Sequence, residues 1–556
     1  MTVAGALDQA GADDLTPIDH YLARQADLSR VERFVRRPAS DAVPAQARYH
    51  RALVPLSQPG PGQQYGFVVD LDACTGGKAC VTACHVMNGL DDGESWRSVG
   101  VVRAGGAERP YRQTVTASCH HCVDPACLKG CPAQAYEKDP VTGVVAHLDE
   151  SCIGCRYCTM TCPYEVPRYN PARGIVRKCD LCTDRLEAGE APACVQACPN
   201  GAISVDVVEL AAARAVLATG GTLVAGAPPS GITVPTTTYR SARTPAPPQP
   251  AGAPTAPGQA HPPLAVMLVL TQLAVGTSVV GLAVAALGGG SVAGPSRTAN
   301  AAVVLAVGLV ALAASVLHLG RPERAFRAVL GIRRSWLSRE IVAFGAFAAL
   351  AAAHAASVLA GAGPPLENLL GALAALAGVA GVACSVLVYA VTARAWWALP
   401  ITGVKFTLTA VASGCATTLV VVLGSSLAAG TAGAGAVASL PVAPLALLTA
   451  LATGAQLLFE AAVLRHLRPG ATDELRRSAV LLTRELRTTT QWRFGTGGLS
   501  ILAFLAVAPA TASAATAGTG LAVAMVATAL LLAGQLLERS QFFTAVAPAR
   551  MPGQPA

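Results

Sequence analysis

Between Cys74 and Cys198 the chain places 15 of its 17 cysteines in four groups whose spacing leaves few folds open to it. The groups are Cys74/Cys80/Cys84, Cys119/Cys122/Cys127/Cys131, Cys152/Cys155/Cys158/Cys162 and Cys179/Cys182/Cys194/Cys198. The third is an unbroken C-x2-C-x2-C-x3-C run followed by Pro163. In such a run three thiolates on one tight loop hold one iron–sulfur cubane and the fourth reaches a neighbouring one. The second and fourth groups stretch one interval each, and proline again follows Cys131 and Cys198. The first group departs from the pattern, because Gly77 stands three residues after Cys74, where the second ligand belongs. Disulfides fit poorly, since two-residue spacing strains them and no signal peptide is expected here to supply an oxidising compartment. Zinc closes on four ligands from two C-x2-C pairs and gives no reason for a repeated x3-C-P tail. The spacing therefore predicts a series of clusters along a path for electrons.

The chain is 52% hydrophobic and only 13% charged over 556 residues, too apolar for an ordinary soluble protein of several domains. A net charge of +8 comes without a basic-aromatic patch, which argues against nucleic acid as a partner. The first 62 residues hold no apolar run of signal-peptide length, and Arg36-Arg37 is followed by Pro-Ala-Ser-Asp, so a twin-arginine export signal is not expected. An amphipathic helix is expected around residues 27–36. The predicted layout is an N-terminal extension at 1–62, a four-cluster ferredoxin-like domain at 63–223, a Pro/Ala/Thr-rich linker at 224–263 and a membrane anchor at 264–556. The linker assignment rests on a composition that cannot bury a core.

Eight apolar segments after residue 263 approach or exceed the length that spans a bilayer: about 264–287, 300–318, 340–361, 368–391, 405–428, 441–464, 496–513 and 518–537. Their Ala and Gly content suits close helix packing, and most have no polar face of 3.6-residue period as a soluble bundle would need. Between the second and third segments lie Arg321, Arg324, Arg327, Arg333, Arg334 and Arg339. Between the sixth and seventh lie Arg465, Arg468, Arg476, Arg477, Arg484, Arg487 and Arg493. The odd-numbered loops hold only Arg297. With eight spans, both arginine-rich loops and the cluster domain share one side, which the positive-inside rule makes cytoplasmic. The competing reading is that these arginines dock the cluster domain or a partner.

His318-Leu319-Gly320-Arg321-Pro322 and Ser335-Trp336-Leu337-Ser338-Arg339-Glu340 resemble the membrane anchor subunit of dimethyl-sulfoxide-reductase-type enzymes. So do Tyr389 to Trp397, Lys405-Phe406, Glu485-Leu486-Arg487, Phe542-Phe543 and Arg550 to Gly553. The stretches CHHCVDPACLKGCP, CIGCRYCTMTCPYEVPRYN and RGIVRKCDLC resemble the four-cluster electron-transfer subunit of the same molybdoenzyme family. The sequence thus resembles a fusion of two subunits that are more often separate. The fold this implies is an α+β double-ferredoxin-like iron–sulfur domain followed by an all-α eight-helix transmembrane bundle.

The resemblance also implies a wiring in which the first cysteine group pairs with the fourth and the second with the third. One cluster then uses Cys119, Cys122, Cys127 and Cys162, another Cys152, Cys155, Cys158 and Cys131, and a third Cys179, Cys182, Cys194 and Cys84. The fourth retains only Cys74, Cys80 and Cys198. Three thiolates favour a [3Fe–4S] centre there beside three [4Fe–4S] clusters. Water, Asp72 or His85 is the second choice for a fourth ligand, and loss of the site is the third.

An electron wire in a membrane needs a carrier, and a quinone also carries protons. His318 closes the second segment and Glu340 opens the third, so both belong at the cluster-domain face, where an imidazole and a desolvated carboxylate can handle quinol protons. In similar anchors these positions serve quinol binding. The plainer alternatives are a histidine bonding helix-end carbonyls and a carboxylate favouring the helix dipole. Haem is not expected: His354 lies roughly 21 Å beyond Glu340 along the helix, and His466 sits among arginines. Glu460 is expected to pair with Arg465, Cys384 and Cys415 to be packing residues, and no acidic path through the spans is expected.

The function expected is that of an electron-transfer and anchor subunit in a bacterial inner membrane. It works beside a separate molybdopterin catalytic subunit of S-/N-oxide reductase or sulfite dehydrogenase type, with the expected cytoplasmic orientation favouring sulfite. A membrane redox sensor or ion-translocating module is the alternative.

Overall fold

The computed structural model describes residues 54–55, 57–104, 111–218, 221–243, 256–287, 293–430, 440–468, 473–511 and 516–553. The expected helix at 27–36, the Arg36-Arg37 pair and residues 244–255 lie outside them.

The N-terminal half is built from short elements because four cysteine groups, three of them ending in Cys-Pro, interrupt it. Its strands are β1 (Gln63–Asp70), β2 (Ser98–Ala104), β3 (Tyr111–Ala117), β4 (Tyr136–Lys138), β5 (Val145–His147), β6 (Arg168–Asn170), β7 (Ile175–Arg177), β8 (Ile203–Glu209) and β9 (Thr238–Arg240). Its helices are α1 (Ala79–Met87), α2 (Ala126–Gly130), α3 (Tyr157–Thr161), α4 (Thr183–Glu187), α5 (Ala193–Gln196) and α6 (Leu210–Ala218). β1 is apolar along most of its length because it is the central strand of the sheet β8–β1–β9, antiparallel to β8 from Gln63↔Glu209 to Val69↔Ile203. The other strands pair antiparallel as β2–β3, β4–β5 and β6–β7. α2 and α3, carrying Cys127 and Cys158, pack together, and each is followed by one of the two small hairpins, the repeat of a double ferredoxin. α1, carrying Cys80 and Cys84, packs on α5, carrying Cys194. A core of Phe67, Val69, Val115, Leu181, Val195 and Ile203 surrounds the cysteine turns.

The expected linker begins too early. β9 runs parallel to β1, and Thr233, Thr236 and Thr237 are buried on the cluster domain. Main-chain bonds hold this segment, with Val123 N donating to Val234 O at 2.8 Å, Asp124 N to Thr233 O at 3.0 Å and Thr236 N to His120 O at 3.1 Å. Val224, Ala227 and Tyr239 also pack on the core, but they are too few and too scattered among Pro, Thr and Gly for apolar content to reveal the segment.

Among the described residues of the second half, eight helices are long and apolar enough to cross a membrane: Pro262–Leu287, Ser296–Val316, Trp336–Leu359, Pro364–Ala390, Leu399–Ala428, Val442–Leu467, Arg487–Ala510 and Ala517–Thr544. In the first and fifth spans 72% and 67% of the apolar window is buried, against 28% in the second, third and seventh, so the former pair forms the centre of the bundle. Gly276 and Gly414 let these two helices cross closely, since a Cβ on Gly276 would collide with the Ala410 carbonyl oxygen. Arg493 is not in a loop as the sequence suggested; it lies in the seventh span and is fully buried.

Candidate cluster sites and the membrane junction

The packing of α1 on α5 and of α2 on α3 brings the cysteine groups together in crossed pairs. One cavity is lined by Cys119, Cys122, Cys127 and Cys162. A second is lined by Cys131, Cys152, Cys155 and Cys158. Cys84 has Cys179, Cys194 and Cys182 as electrostatic neighbours, which makes the third set. A further cavity is lined by Cys74, Cys80 and Cys198, with Gly77 between them. Its empty space of about 350 Å³ lies between the 370 and 290 Å³ of the two four-cysteine cavities, so this site has not collapsed. Among the described residues no three His, Cys, Asp or Glu side chains converge closely enough for a single metal ion. Thiols set around a cavity instead of a point suit a polynuclear cluster and not zinc. Burial pushes the Cys162 thiol up to about 11 and the Cys182 thiol up to about 12, so loading of metal must displace protons.

Two buried cations that motif reading overlooked sit among the thiols. Arg97 donates to Thr116 Oγ1 at 3.2 Å and Ser118 Oγ at 2.8 Å. Burial opposes its charge, but the thiolates of Cys194, Cys80, Cys179 and Cys84 hold its pKa above the usual guanidinium value. Lys178 donates to the carbonyls of Val145 and Cys179; burial opposes its charge too, and Cys119, Cys127 and Cys179 raise its pKa. Such charges offset the negative charge of a thiolate-ligated cluster and favour its reduction.

The cavity of Cys131, Cys152, Cys155 and Cys158 lies against the membrane half. Arg321 N donates to Ile153 O at 3.1 Å, Gly331 N to Pro132 O at 2.7 Å and Ser335 Oγ to Gly130 O at 2.7 Å. A Cβ on Gly320 would collide with Gly174 O, so the glycine of the His-Leu-Gly-Arg-Pro run is what allows two backbones to meet. Arg321 and Arg327 bond Asp149 O and Ser151 Oγ at 2.9 and 3.1 Å, and Arg324 pairs with Glu150. These three arginines dock the cluster domain, so they carry less weight as topology signals than the sequence suggested.

His318 and Glu340 flank this contact. His318 leaves Nδ1 buried without a partner, and burial, helped by His261 and Arg156 and opposed by the Ser315 backbone, pushes its pKa down to about 4. Glu340 is buried and accepts a hydrogen bond from Ser385 Oγ. Tyr157, whose hydroxyl donates to Val388 O at 2.6 Å, is held well above the ordinary phenol value by burial and by the Glu340 carboxylate. Arg156 and Tyr157 are consecutive residues between Cys155 and Cys158. One turn of the cluster loop therefore neighbours both candidate residues, a role nothing in the cysteine spacing indicates for Arg156, Tyr157, His261 or Ser385.

Glu460 pairs with Arg493, not Arg465: Nε and Nη2 reach its two carboxylate oxygens at 3.0 and 2.8 Å. Lys405 and Arg539 reach Glu538 at 3.0 and 3.4 Å, and Arg539 donates to Gln272 and Thr409 at 3.0 and 3.1 Å. Glu460 and Glu538 are thus each held beside a cation of the bundle, pairs that form only in the folded bundle. His354 lines another cavity with Arg297, Asn300 and Thr418, away from the cluster junction. Asp72 is engaged by Ser241, Gln113 and the Ala242 amide, and neither it nor His85 lines the Gly77 cavity.

Residues 111–208 match the model of the 4Fe-4S dicluster domain, and residues 256–545, more than half of the sequence, match that of the DMSO reductase anchor subunit (DmsC). The B subunit of anaerobic dimethyl sulfoxide reductase from Haemophilus influenzae is 38% identical over 182 residues, 31% of this chain and 87% of the relative. The corresponding B subunit from Escherichia coli is 40% identical over 154 residues, 26% of this chain and 75% of the relative. The Escherichia coli formate dehydrogenase-O iron-sulfur subunit is 36% identical over 152 residues, 24% of this chain and 51% of the relative.

Proposed function

The protein belongs to the DMSO reductase anchor subunit (DmsC) family, with an iron–sulfur electron-transfer domain of the B-subunit type fused ahead of the anchor, and we propose that it carries electrons from membrane quinol to a separate molybdopterin subunit. The turn Cys155-Arg156-Tyr157-Cys158 carries this reading, because it lies at once on a cluster cavity and beside His318 and Glu340. Each quinol molecule delivers two electrons and two protons. His318, neutral at physiological pH, accepts one proton, and Glu340, oriented by Ser385, takes the other.

Iron–sulfur clusters supply one-electron steps between sites. The cavity at the membrane junction and that of Cys119, Cys122, Cys127 and Cys162 are linked by α3, which carries Cys158 and ends immediately before Cys162; Lys178 and Cys179 join the latter to the set with Cys84; and α1 carries both Cys84 and Cys80. The order supported is thus junction, Cys119 set, Cys84 set, Gly77 cavity. Fifteen cysteines would hold three [4Fe–4S] clusters and one [3Fe–4S] centre, a reading favoured by the intact cavity at Gly77 and by the other engagement of Asp72. The names of the B-subunit relatives favour an S-oxide as the final acceptor, reduced with two electrons and two protons to the sulfide and water.

His318→Ala and Glu340→Gln should each abolish electron exchange with a quinol analogue while the clusters stay assembled and reducible by a small dye. Wild-type quinol turnover in both variants would exclude this site. Turnover of the purified complex with S-oxides and with sulfite tests the acceptor, and activity with sulfite alone would reject the oxide reading.

A further inference from the structure

A cavity with about 1370 Å³ of empty space opens at the junction, lined from both halves of the molecule. The cluster domain contributes Arg156 and Arg168, and the membrane half contributes Arg394 and Arg550. Among the described residues that line it Glu165 is the one carboxylate, leaving a formal excess of three positive charges. Glu165 is shared between Arg550 at 3.1 Å and Arg394 at 3.7 Å. Arg156 places Cζ over the Tyr169 ring, 3.7 Å from its centroid, with Nε buried and without a partner. Burial and the nearby Arg550 hold Arg168 and Arg394 below the usual guanidinium value although Glu165 opposes this. Cations crowded in this way are stabilised by an anion with several acceptor oxygens, which planar guanidinium groups bind in pairs.

The remaining wall decides which anion. Met160, Trp397, Phe543 and Val546 line the same cavity, and Trp397 and Phe543 stand where the fourth to fifth connection and the eighth span meet the cluster domain. Aromatic side chains at that level are typical of a membrane surface. A free phosphate ion has no use for an apolar wall, and a neutral quinone has none for four guanidinium groups. We infer that this cavity holds the phosphate headgroup of an anionic phospholipid, its acyl chains along Trp397 and Phe543, and that the lipid joins the soluble half to the membrane half. The inference does not depend on the quinol reading.

The test uses the purified full-length protein in detergent, stripped of lipid. Phosphatidylglycerol should raise its thermal unfolding temperature, while phosphatidylcholine and inorganic phosphate should not. The pair Arg168→Gln/Arg550→Gln, neither residue being part of the cluster or quinol sites, should bind phosphatidylglycerol roughly tenfold or more weakly, and Arg168→Lys/Arg550→Lys should retain part of the affinity. Native mass spectrometry of the unstripped protein should show a retained anionic lipid. Equal stabilisation by phosphatidylcholine, an equal effect of inorganic phosphate, or unchanged affinity in the glutamine pair would each overturn the inference. Should the glutamine pair fail to assemble its clusters, the lipid comparison on the wild-type protein decides alone.

Discussion

A Cβ placed on Gly77 meets nothing nearer than Thr75 Oγ1 at 4.0 Å, so a cysteine fits there without moving its neighbours. Gly77→Cys is therefore expected to convert a [3Fe–4S] centre to [4Fe–4S], read as loss of the oxidised-state electron paramagnetic resonance signal and a gain of one iron. An oxidised wild-type sample with no such signal and iron for four cubanes would defeat the assignment. His318 makes a second prediction at this scale. Its folded-state pKa of about 4 lies below the ordinary histidine value, so the native protein resists protonation that the unfolded chain accepts. Stability should accordingly fall as pH drops from about 6.5 toward 4, and His318→Ala should flatten that slope in thermal unfolding. Arg156 and His261 are the charged or titratable neighbours that oppose its charge, so Arg156→Gln should move the inflection upward. The cysteine groups could be read from spacing because each loop supplies most of its own ligands. Arg97 and Lys178 could not, since a single cation becomes informative only when the fold sets it beside several thiols.

Eight apolar runs reappear as eight spans because apolar length is a local property. Polar pairs between helices are not local, and Arg493 with Glu460 is the example, one on the seventh span and one on the sixth. Glu460→Gln leaves a buried guanidinium charge uncompensated and should cost about 3–5 kcal/mol, whereas the pair Glu460→Leu/Arg493→Leu should cost less than either single change. Thermal unfolding in detergent measures both, and additive losses would mean the two residues do not interact. Gly320→Val would push its first side-chain atom against Gly174 O. Quinol-driven reduction should then fail while dye reduction of the clusters persists; unchanged quinol turnover would show that the close backbone approach is dispensable. β9 was hidden in a proline-rich stretch because it is only three residues long and pairs with β1 through the main chain, with Tyr239 alone reaching the core.

For the whole molecule the open quantity is the side of the membrane that carries the clusters. Docking accounts for Arg321, Arg324 and Arg327, but Arg465, Arg468 and Arg476 remain as charges that the positive-inside rule assigns to the cytoplasm. Reporter fusions after Ala556 and within 468–490 should report cytoplasm, and fusions within 429–439 the opposite side; the reverse pattern would mean that the cluster domain is exported. Ligand spacing and apolar length, both properties of contiguous sequence, sufficed to specify iron–sulfur clusters and the number of spans, and the resemblance carried by local motifs supplied the fusion of two modules. Tertiary structure alone decided which turn of the cluster domain faces His318 and Glu340, which span pairs with Glu460, and that four arginines scattered from residue 156 to 550 share one cavity. Those contacts join residues from 33 to several hundred positions apart, and no local pattern records them, because their energies depend on desolvation and charge pairing that exist only once the chain has packed.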